Sequence, residues 1–285
     1  VILYPERGVR AEWALLRSLR ARRYDAVVDF LSTARSARAV AASGARLRVG
    51  VRGRGPRNLL YSKLLPKENS LPLYAAERMV RMLAPLGVDV AGDDLALDLA
   101  IGARERAWAA EALAGLGVRE DVAPLVVLSA VSRDPCKQWG AERWAAVADA
   151  LAAAGARVLL TYGPGEADQA ECVARAMRYP PLLAPAVARV VELGALYERA
   201  SLWLGNDGGA MHVAVAAGVP TLAVIRHGRG ALWTAPVPAG RHQYVEGAAG
   251  DGECRGGIDA IAPDVVIARA LRLLGRAADA PVPHG

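Results

Sequence analysis

Short apolar runs alternate with amphipathic stretches along the second half of this chain. Residues 125–129, 157–161, 182–184, 201–204 and 221–225 are runs of the length and composition of buried strands. Between them, residues 142–154, 165–177, 188–200 and 213–217 carry apolar side chains at helical spacing. A helix over 103–116, ended by Gly117, precedes the series, and one over 265–274 follows it. Strand and helix alternating with short loops predict a doubly wound parallel sheet.

The first half alternates too, but is short. Residues 12–22 place Trp13, Leu15, Leu16 and Leu19 at helical spacing with arginines between them. Strands are predicted over 25–30 and 46–51 and helices over 34–42 and 73–86. Residues 1–4 read as a short strand or connecting segment, and 52–67 as a loop carrying Arg52, Arg54, Arg57, Lys63 and Lys67. About three strands are few for an independent sheet. A connector with Gly92-Asp93-Asp94 sets the expected division: one domain over 1–95, a second over 96–275, and a tail over 276–285.

Composition narrows the class. An apolar content of 53% excludes wholesale disorder. The net charge of +6 suits an acidic partner such as a nucleotide, a phosphorylated lipid or nucleic acid, or is ordinary solubility charge. Basic residues without interleaved aromatics argue against single-stranded nucleic acid. Cys136, Cys172 and Cys254 are widely spaced, with no C-x-x-C pair, so neither a zinc site nor a disulfide framework is expected. That usage fits a reducing compartment. No apolar run approaches the roughly 18–20 residues of a membrane span. The chain opens on Val1 without a leader pattern, so upstream sequence is expected to be missing.

Three turns at successive strand ends carry candidate chemistry. The first, Gly205-Asn206-Asp207-Gly208-Gly209-Ala210-Met211-His212, joins a strand to a small-residue helix. Open parallel sheets bind ligands at the carboxyl ends of their strands. Paired glycines expose backbone N–H groups at a helix start, where anions bind. Asp207 either caps that helix or faces the ligand, and His212 points into the cleft or the core. The second, 129–139, offers Ser129, Ser132 and Lys137 ahead of a helix, a set able to neutralise a diphosphate. Alternatively it is a surface loop with Trp139 packed on the domain. The third, Gly163-Pro164-Gly165-Glu166, puts a carboxylate where acidic residues bind ribose hydroxyls, or where Glu166 merely complements a helix dipole. Asp29, Ser32, Thr33 and Arg35 line the first domain's cleft face or cap a helix, and His227 is a candidate sugar or base contact.

These residues resemble the heptosyltransferase family of lipopolysaccharide core assembly. Asp207-Gly208-Gly209-Ala210-Met211-His212, then Ala216, Gly218 and Pro220, is similar to its D-[ST]-G-x-x-H-x-x-x-A-x-G-x-P signature, with Gly208 in place of Ser/Thr. Lys137-Gln138-Trp139 with Trp144, Gly163 to Glu166, Tyr24 to Asp29, Arg35-Ser36-Ala37 and Arg48-Val49-Gly50 resemble further family segments in the right order.

The resemblance implies a GT-B architecture, two Rossmann-like domains facing a cleft. The first would be incomplete, and the last helix, over 263–275, would pack back on it. It implies inverting transfer of heptose from ADP-heptose, with no metal and no further cofactor. Ser129, Ser132 and Lys137 would meet the diphosphate, Glu166 the ribose, and Asp207, Gly208, Gly209 and His212 the donor sugar and phosphates. The acceptor would be a lipid-anchored acidic saccharide of the lipopolysaccharide inner core, met in the cytoplasm, with peripheral contact at the inner membrane. Nucleic acid is not implied as a partner. The family's general-base Asp lies on an N-terminal strand and loop, so the catalytic base is expected before Val1. A binding homologue that has lost chemistry, or a GT-B nucleotide-sugar epimerase, are the alternatives.

Overall fold

The structure is a computed structural model and describes residues 8–66, 73–89, 95–119, 122–249 and 257–275. The expectations for residues 1–4, Lys67, Gly92-Asp93-Asp94, Cys254 and the tail over 276–285 fall outside them. The chain forms two compact units, Val1–Leu95 and Ala96–Gly285.

The first unit runs α1 (Val9–Ala21), β1 (Ala26–Val28), α2 (Ala34–Ser43), β2 (Leu47–Val51), β3 (Lys63–Leu65) and α3 (Ala75–Arg81). Its strands form a parallel sheet in the order β1-β2-β3, with Val28 beside Val49 and Gly50 beside Leu64. Thr33 and Ser36 start α2 with a reciprocal capping box, and Gly44 ends it in the left-handed conformation, at φ 67°. The predicted loop over 52–67 is partly ordered instead: it contains a 3-10 turn, Pro56–Leu60, and β3. Three residues are too few to print an alternation, so β3 left no sequence signal.

Asp29 ends β1, buried at 6% exposure, and does not cap α2. Its Oδ1 accepts the N–H groups of Leu31 and Ser32 at 3.1 and 2.8 Å, and its Oδ2 accepts the Tyr61 hydroxyl at 2.7 Å. Burial, reinforced by the Asp29 hydrogen bond and charge, pushes the Tyr61 phenol up to about 12. The carboxylate is therefore committed to holding the β1–α2 turn against the sheet.

The second unit runs α4 (Ala103–Gly115), β4 (Leu125–Ser129), α5 (Ala141–Ala153), β5 (Arg157–Leu160), α6 (Ala167–Ala176), β6 (Leu182–Leu183), α7 (Val190–Glu198), β7 (Leu202–Asn206), α8 (Gly209–Ala216), β8 (Thr221–Ile225), α9 (Gly230–Trp233), β9 (His242–Glu246) and α10 (Pro263–Leu273). All neighbouring strands of its sheet pair in parallel, in the order β6-β5-β4-β7-β8-β9. Numbered from β4, this is the doubly wound order 3-2-1-4-5-6, and it reverses between β4 and β7. Every residue of β4, β7 and β8 is buried, as a sheet covered on both faces requires. The sequence analysis missed β9 and α9.

Helices cover the two faces. Trp139, Trp144, Leu151, Val173 and Val266 belong to the core under α5, α6 and α10. Leu113, Leu196, Tyr197, Trp203 and Met211 fill the opposite layer, under α4, α7 and α8. Each such side chain contributes on the order of 1.5–3 kcal/mol by leaving water. α10 packs on α5, β7 and β8 of its own unit. Cys172 is free and exposed.

His242 opens β9 with its Nδ1 3.0 Å from the Thr221 hydroxyl and its side chain buried at 7% exposure. Burial, helped by the neighbouring Arg241 charge, lowers its pKa to about 4. The folded protein thus keeps His242 neutral where the unfolded chain binds a proton, so stability falls as pH drops from about 6.5 towards 4. Urea unfolding of the His242→Asn variant should show a flatter pH dependence there than the parent.

Candidate functional site

The strand-order reversal opens a crevice at the carboxyl ends of β4 and β7. A cavity of about 860 Å³ fills it, walled by the loops after β4, β5 and β7 and by the start of α7. Ser129, Ser132, Lys137, Glu166, Asp207, Gly208 and Gly209 all lie in its wall, so the three predicted turns meet in one place.

Lys137 and Asp207 are the centre of the site. Lys137 Nζ lies 2.9 Å from Asp207 Oδ2, with Asp207 6% exposed and Lys137 25%. The pair ties the loop after β4 to the loop after β7. A 3-10 turn over Pro135–Lys137 presents the lysine, and Asp134 Oδ1 caps that turn by accepting the Cys136 N–H at 3.0 Å. Just beyond it, Trp139 anchors the loop in the core, its indole N–H donating to Ile261 O at 3.2 Å. Its ring meets Trp144 edge to face at 4.8 Å. Trp144 in turn donates to Asn206 Oδ1 at 3.3 Å, and Asn206 donates to Ala130 O at 2.7 Å. Asn206 thereby locks the ends of β4 and β7 together behind the ion pair.

Asp207 does not cap α8, whose first turn has no side-chain cap at all. Amides at that N-terminus face the cavity side with the positive end of the helix dipole behind them. Gly208 is in extended backbone, at φ −173°, so the glycine pair is not needed for left-handed geometry. What it supplies is room: a Cβ on Gly209 would meet nothing within 4 Å, and one on Gly208 only Asn206 O at 3.9 Å.

The other predicted residues divide. Ser129 is buried at the cavity floor beside the Tyr197 hydroxyl, which lies 3.1 Å from Thr161 Oγ1. Burial raises the Tyr197 pKa, which keeps its phenol protonated and available as a donor. Ser132 organises its own loop: its N–H donates to Gln169 Oε1 at 3.2 Å and its hydroxyl accepts the Asp134 N–H at 3.2 Å. Glu166 closes its turn by accepting the Gly163 N–H at 2.8 Å, with Arg133 Nε 3.6 Å away. One carboxylate oxygen is thus occupied by the turn, while the side chain still lines the cavity.

His212 is not in the cavity wall. Its ring lies 5.8 Å from that of Trp233. Burial lowers its pKa and favours neutral imidazole, against the nearby Asp207 charge, which favours the cation. His227 sits 4.0 Å from Glu246, whose other oxygen accepts the N–H groups of Arg229 and Gly230. That places it on the α9 turn, also outside the cavity wall.

Tyr197 and Arg189 line the cavity and were missed in the sequence. A lone tyrosine on the apolar face of α7 was the available signal, because a buried phenol needs a polar partner. Arg189 gave none: it pairs with Glu105 at 2.9 Å and reaches the site from the α7 cap.

The fold and site define an α/β protein whose doubly wound sheet carries a large polar-walled cavity at its switch point. The chain belongs to glycosyltransferase family 9 (heptosyltransferase), whose model matches residues 12–241. It is 30% identical over 221 residues to lipopolysaccharide heptosyltransferase 3 of Escherichia coli K12. That match covers 74% of this chain but only 61% of the relative. Among solved structures, a family 9 glycosyl transferase from Veillonella parvula superposes with a TM-score of 0.78 at 23% identity, over 96% of this chain and 81% of that one. The Escherichia coli ADP-heptose lipopolysaccharide heptosyltransferase II superposes at 0.70 and 20% identity, over 92% and 80%. These two likenesses confirm the α/β class expected from the alternation of strands and helices.

Gly205 tests the packing behind the site. A Cβ there would lie 2.5 Å from Ser129 O and 2.7 Å from the Trp203 ring, so β4 and β7 would have to separate. Gly205→Ala should destabilise the protein by about 1–3 kcal/mol in urea unfolding, the usual cost of overpacking.

Proposed function

We propose that this chain serves heptose transfer from ADP-heptose to an acidic, lipid-anchored saccharide of the lipopolysaccharide inner core, with inversion at the anomeric carbon. The observation that carries the reading is the Lys137–Asp207 pair beside the uncapped start of α8, inside a cavity of nucleotide size. Lys137 and the α8 amides would take the charge that develops on the departing diphosphate, an electrostatic stabilisation needing no reorganisation of water. Asp207 would orient Lys137 and accept from a sugar hydroxyl. Glu166, with one oxygen held by Gly163, would offer the other to the ribose. An acceptor hydroxyl would attack the anomeric carbon from the face opposite the leaving ADP. The names of two relatives support the donor and the acceptor class: one is a lipopolysaccharide heptosyltransferase, the other an ADP-heptose enzyme.

The first unit suits an acidic acceptor. A second cavity, of about 270 Å³, lies at the carboxyl ends of β2 and β3 and is walled by Arg52, Arg57, Arg78 and Arg81. Among the described residues, Arg57 Nε is buried there without a hydrogen-bond partner, and only Arg81 of the four pairs with a carboxylate, that of Glu77. Unneutralised guanidinium groups around a cavity favour a phosphate or carboxylate. The transfer reaction would therefore draw its acceptor to the cytoplasmic face of the inner membrane, where such lipids are assembled.

Calorimetry tests the donor half. Lys137→Ala should weaken ADP binding about 10–100-fold, as expected for a lost charge-assisted contact. Asp207→Ala should weaken ADP-heptose more than ADP, because its carboxylate is assigned to the sugar. Unchanged affinities in both variants would contradict the assignment. In a transfer assay on a heptose-deficient core lipopolysaccharide, Arg57→Ala should raise the acceptor KM about tenfold with ADP affinity intact.

A further inference from the structure

The outer face of α1 has a composition that neither the fold nor the donor cavity uses. At about 100° per residue, positions 9, 10, 13, 14, 17 and 20 fall on one side of the helix. Those residues are Val9, Arg10, Trp13, Ala14, Arg17 and Arg20, and all are exposed, although the Arg20 guanidinium folds over Gly44 at the end of α2. Trp13 shows 61% of its surface and Val9 74%. The opposite side is spent on the core: Leu15 is buried, and Glu12 turns away to pair with Arg38 at 3.0 Å. Glu12 is the helix's single acidic residue, so the outer face carries no negative charge. Neither Arg10 nor Arg17 has an acidic partner among the described residues.

A solvated helix surface would normally mix both signs of charge and keep tryptophan inside. Arginines flanking an exposed tryptophan and valine on one helix face are what an interfacial helix needs. The guanidinium groups meet lipid phosphates, and the indole lies at the headgroup level with its apolar body toward the acyl chains. Arginine also forms paired hydrogen bonds to phosphate that lysine does not.

We propose that this face of α1 is a docking surface for an anionic lipid bilayer. Val9, Trp13 and Ala14 enter the interface while Arg10 and Arg17 hold the phosphate plane. The proposal goes beyond the transfer reaction and stands whether or not the donor is ADP-heptose. It gives a chain with no helix long and apolar enough to cross a membrane, among the described residues, a defined way to meet one.

Vesicle co-sedimentation tests it. The protein should pellet with phosphatidylcholine vesicles containing phosphatidylglycerol, remain in solution with pure phosphatidylcholine, and be released by salt. R10E/R17E should weaken binding to the anionic vesicles by about tenfold or more. Trp13→Ser should weaken it severalfold while leaving the salt dependence in place. All three positions are exposed, so thermal melting and ADP calorimetry should match the parent, which separates this surface from the donor site. Failure of the parent to pellet, or equal pelleting by parent and both variants, would overturn the proposal. Binding to a single-stranded oligonucleotide that is as strong as vesicle binding and indifferent to Trp13 would also overturn it, because the strip would then be a general polyanion surface. A loss of ADP binding alone would count against the function proposed above and leave the lipid surface standing.

Discussion

The Lys137–Asp207 pair is the interaction on which the site depends. A lysine and an aspartate 2.9 Å apart, with the aspartate almost wholly buried, tie together two loops that the sheet drives apart. At the reversal point of a doubly wound sheet, the connections after adjacent strands leave toward opposite faces, so a crevice follows from topology alone. The pair bridges that crevice and fixes where its charge lies. Burying two ions costs desolvation energy, and the return depends on good geometry and on further hydrogen bonds. Trp139, Trp144 and Asn206 fix the geometry by holding the two loops in place behind the pair, each through a defined hydrogen bond. The same constraint explains Gly205, where only a hydrogen atom fits against the Ser129 carbonyl.

The two units divide their chemistry. The second concentrates mixed charge in one large cavity: lysine, aspartate, glutamate and a bare helix start. The first is dominated by arginine, both around its own small cavity and along the outer face of α1. A nucleotide sugar needs hydrogen-bond acceptors for hydroxyls beside donors for phosphate, whereas an acidic saccharide or a lipid headgroup needs cations. The net charge of +6 therefore reflects a local concentration of arginine in the first unit.

Much of this was legible in the sequence where the signal was local. Fully buried strands such as β4 and β8 appear as uninterrupted apolar runs, and the turns after β4, β5 and β7 carry the polar residues that converge in the cavity. The α/β class followed from the alternation, and the family signature around Asp207 pointed to the right relatives. Other features depended on tertiary contacts. β3 has three residues and is held by pairing with β2. Asp207 was equally readable as a cap, and only the position of Lys137 in space decides that it is an ion-pair partner. Asp29 looked like a cleft or cap residue, yet Tyr61, 32 positions later, claims its second oxygen. His212 fits the signature, but burial beside Trp233 sets its ring outside the cavity wall.

The central claim is that the crevice between β4 and β7 holds a nucleotide diphosphate against Lys137 and the start of α8. Amide hydrogen exchange with and without ADP measures this most directly. ADP should slow exchange at Gly208, Gly209 and Ala210 and across the loop carrying Lys137, while the amides of the first unit keep their rates. Protection confined to the first unit, or no protection at the α8 start with ADP in saturating excess, would contradict it.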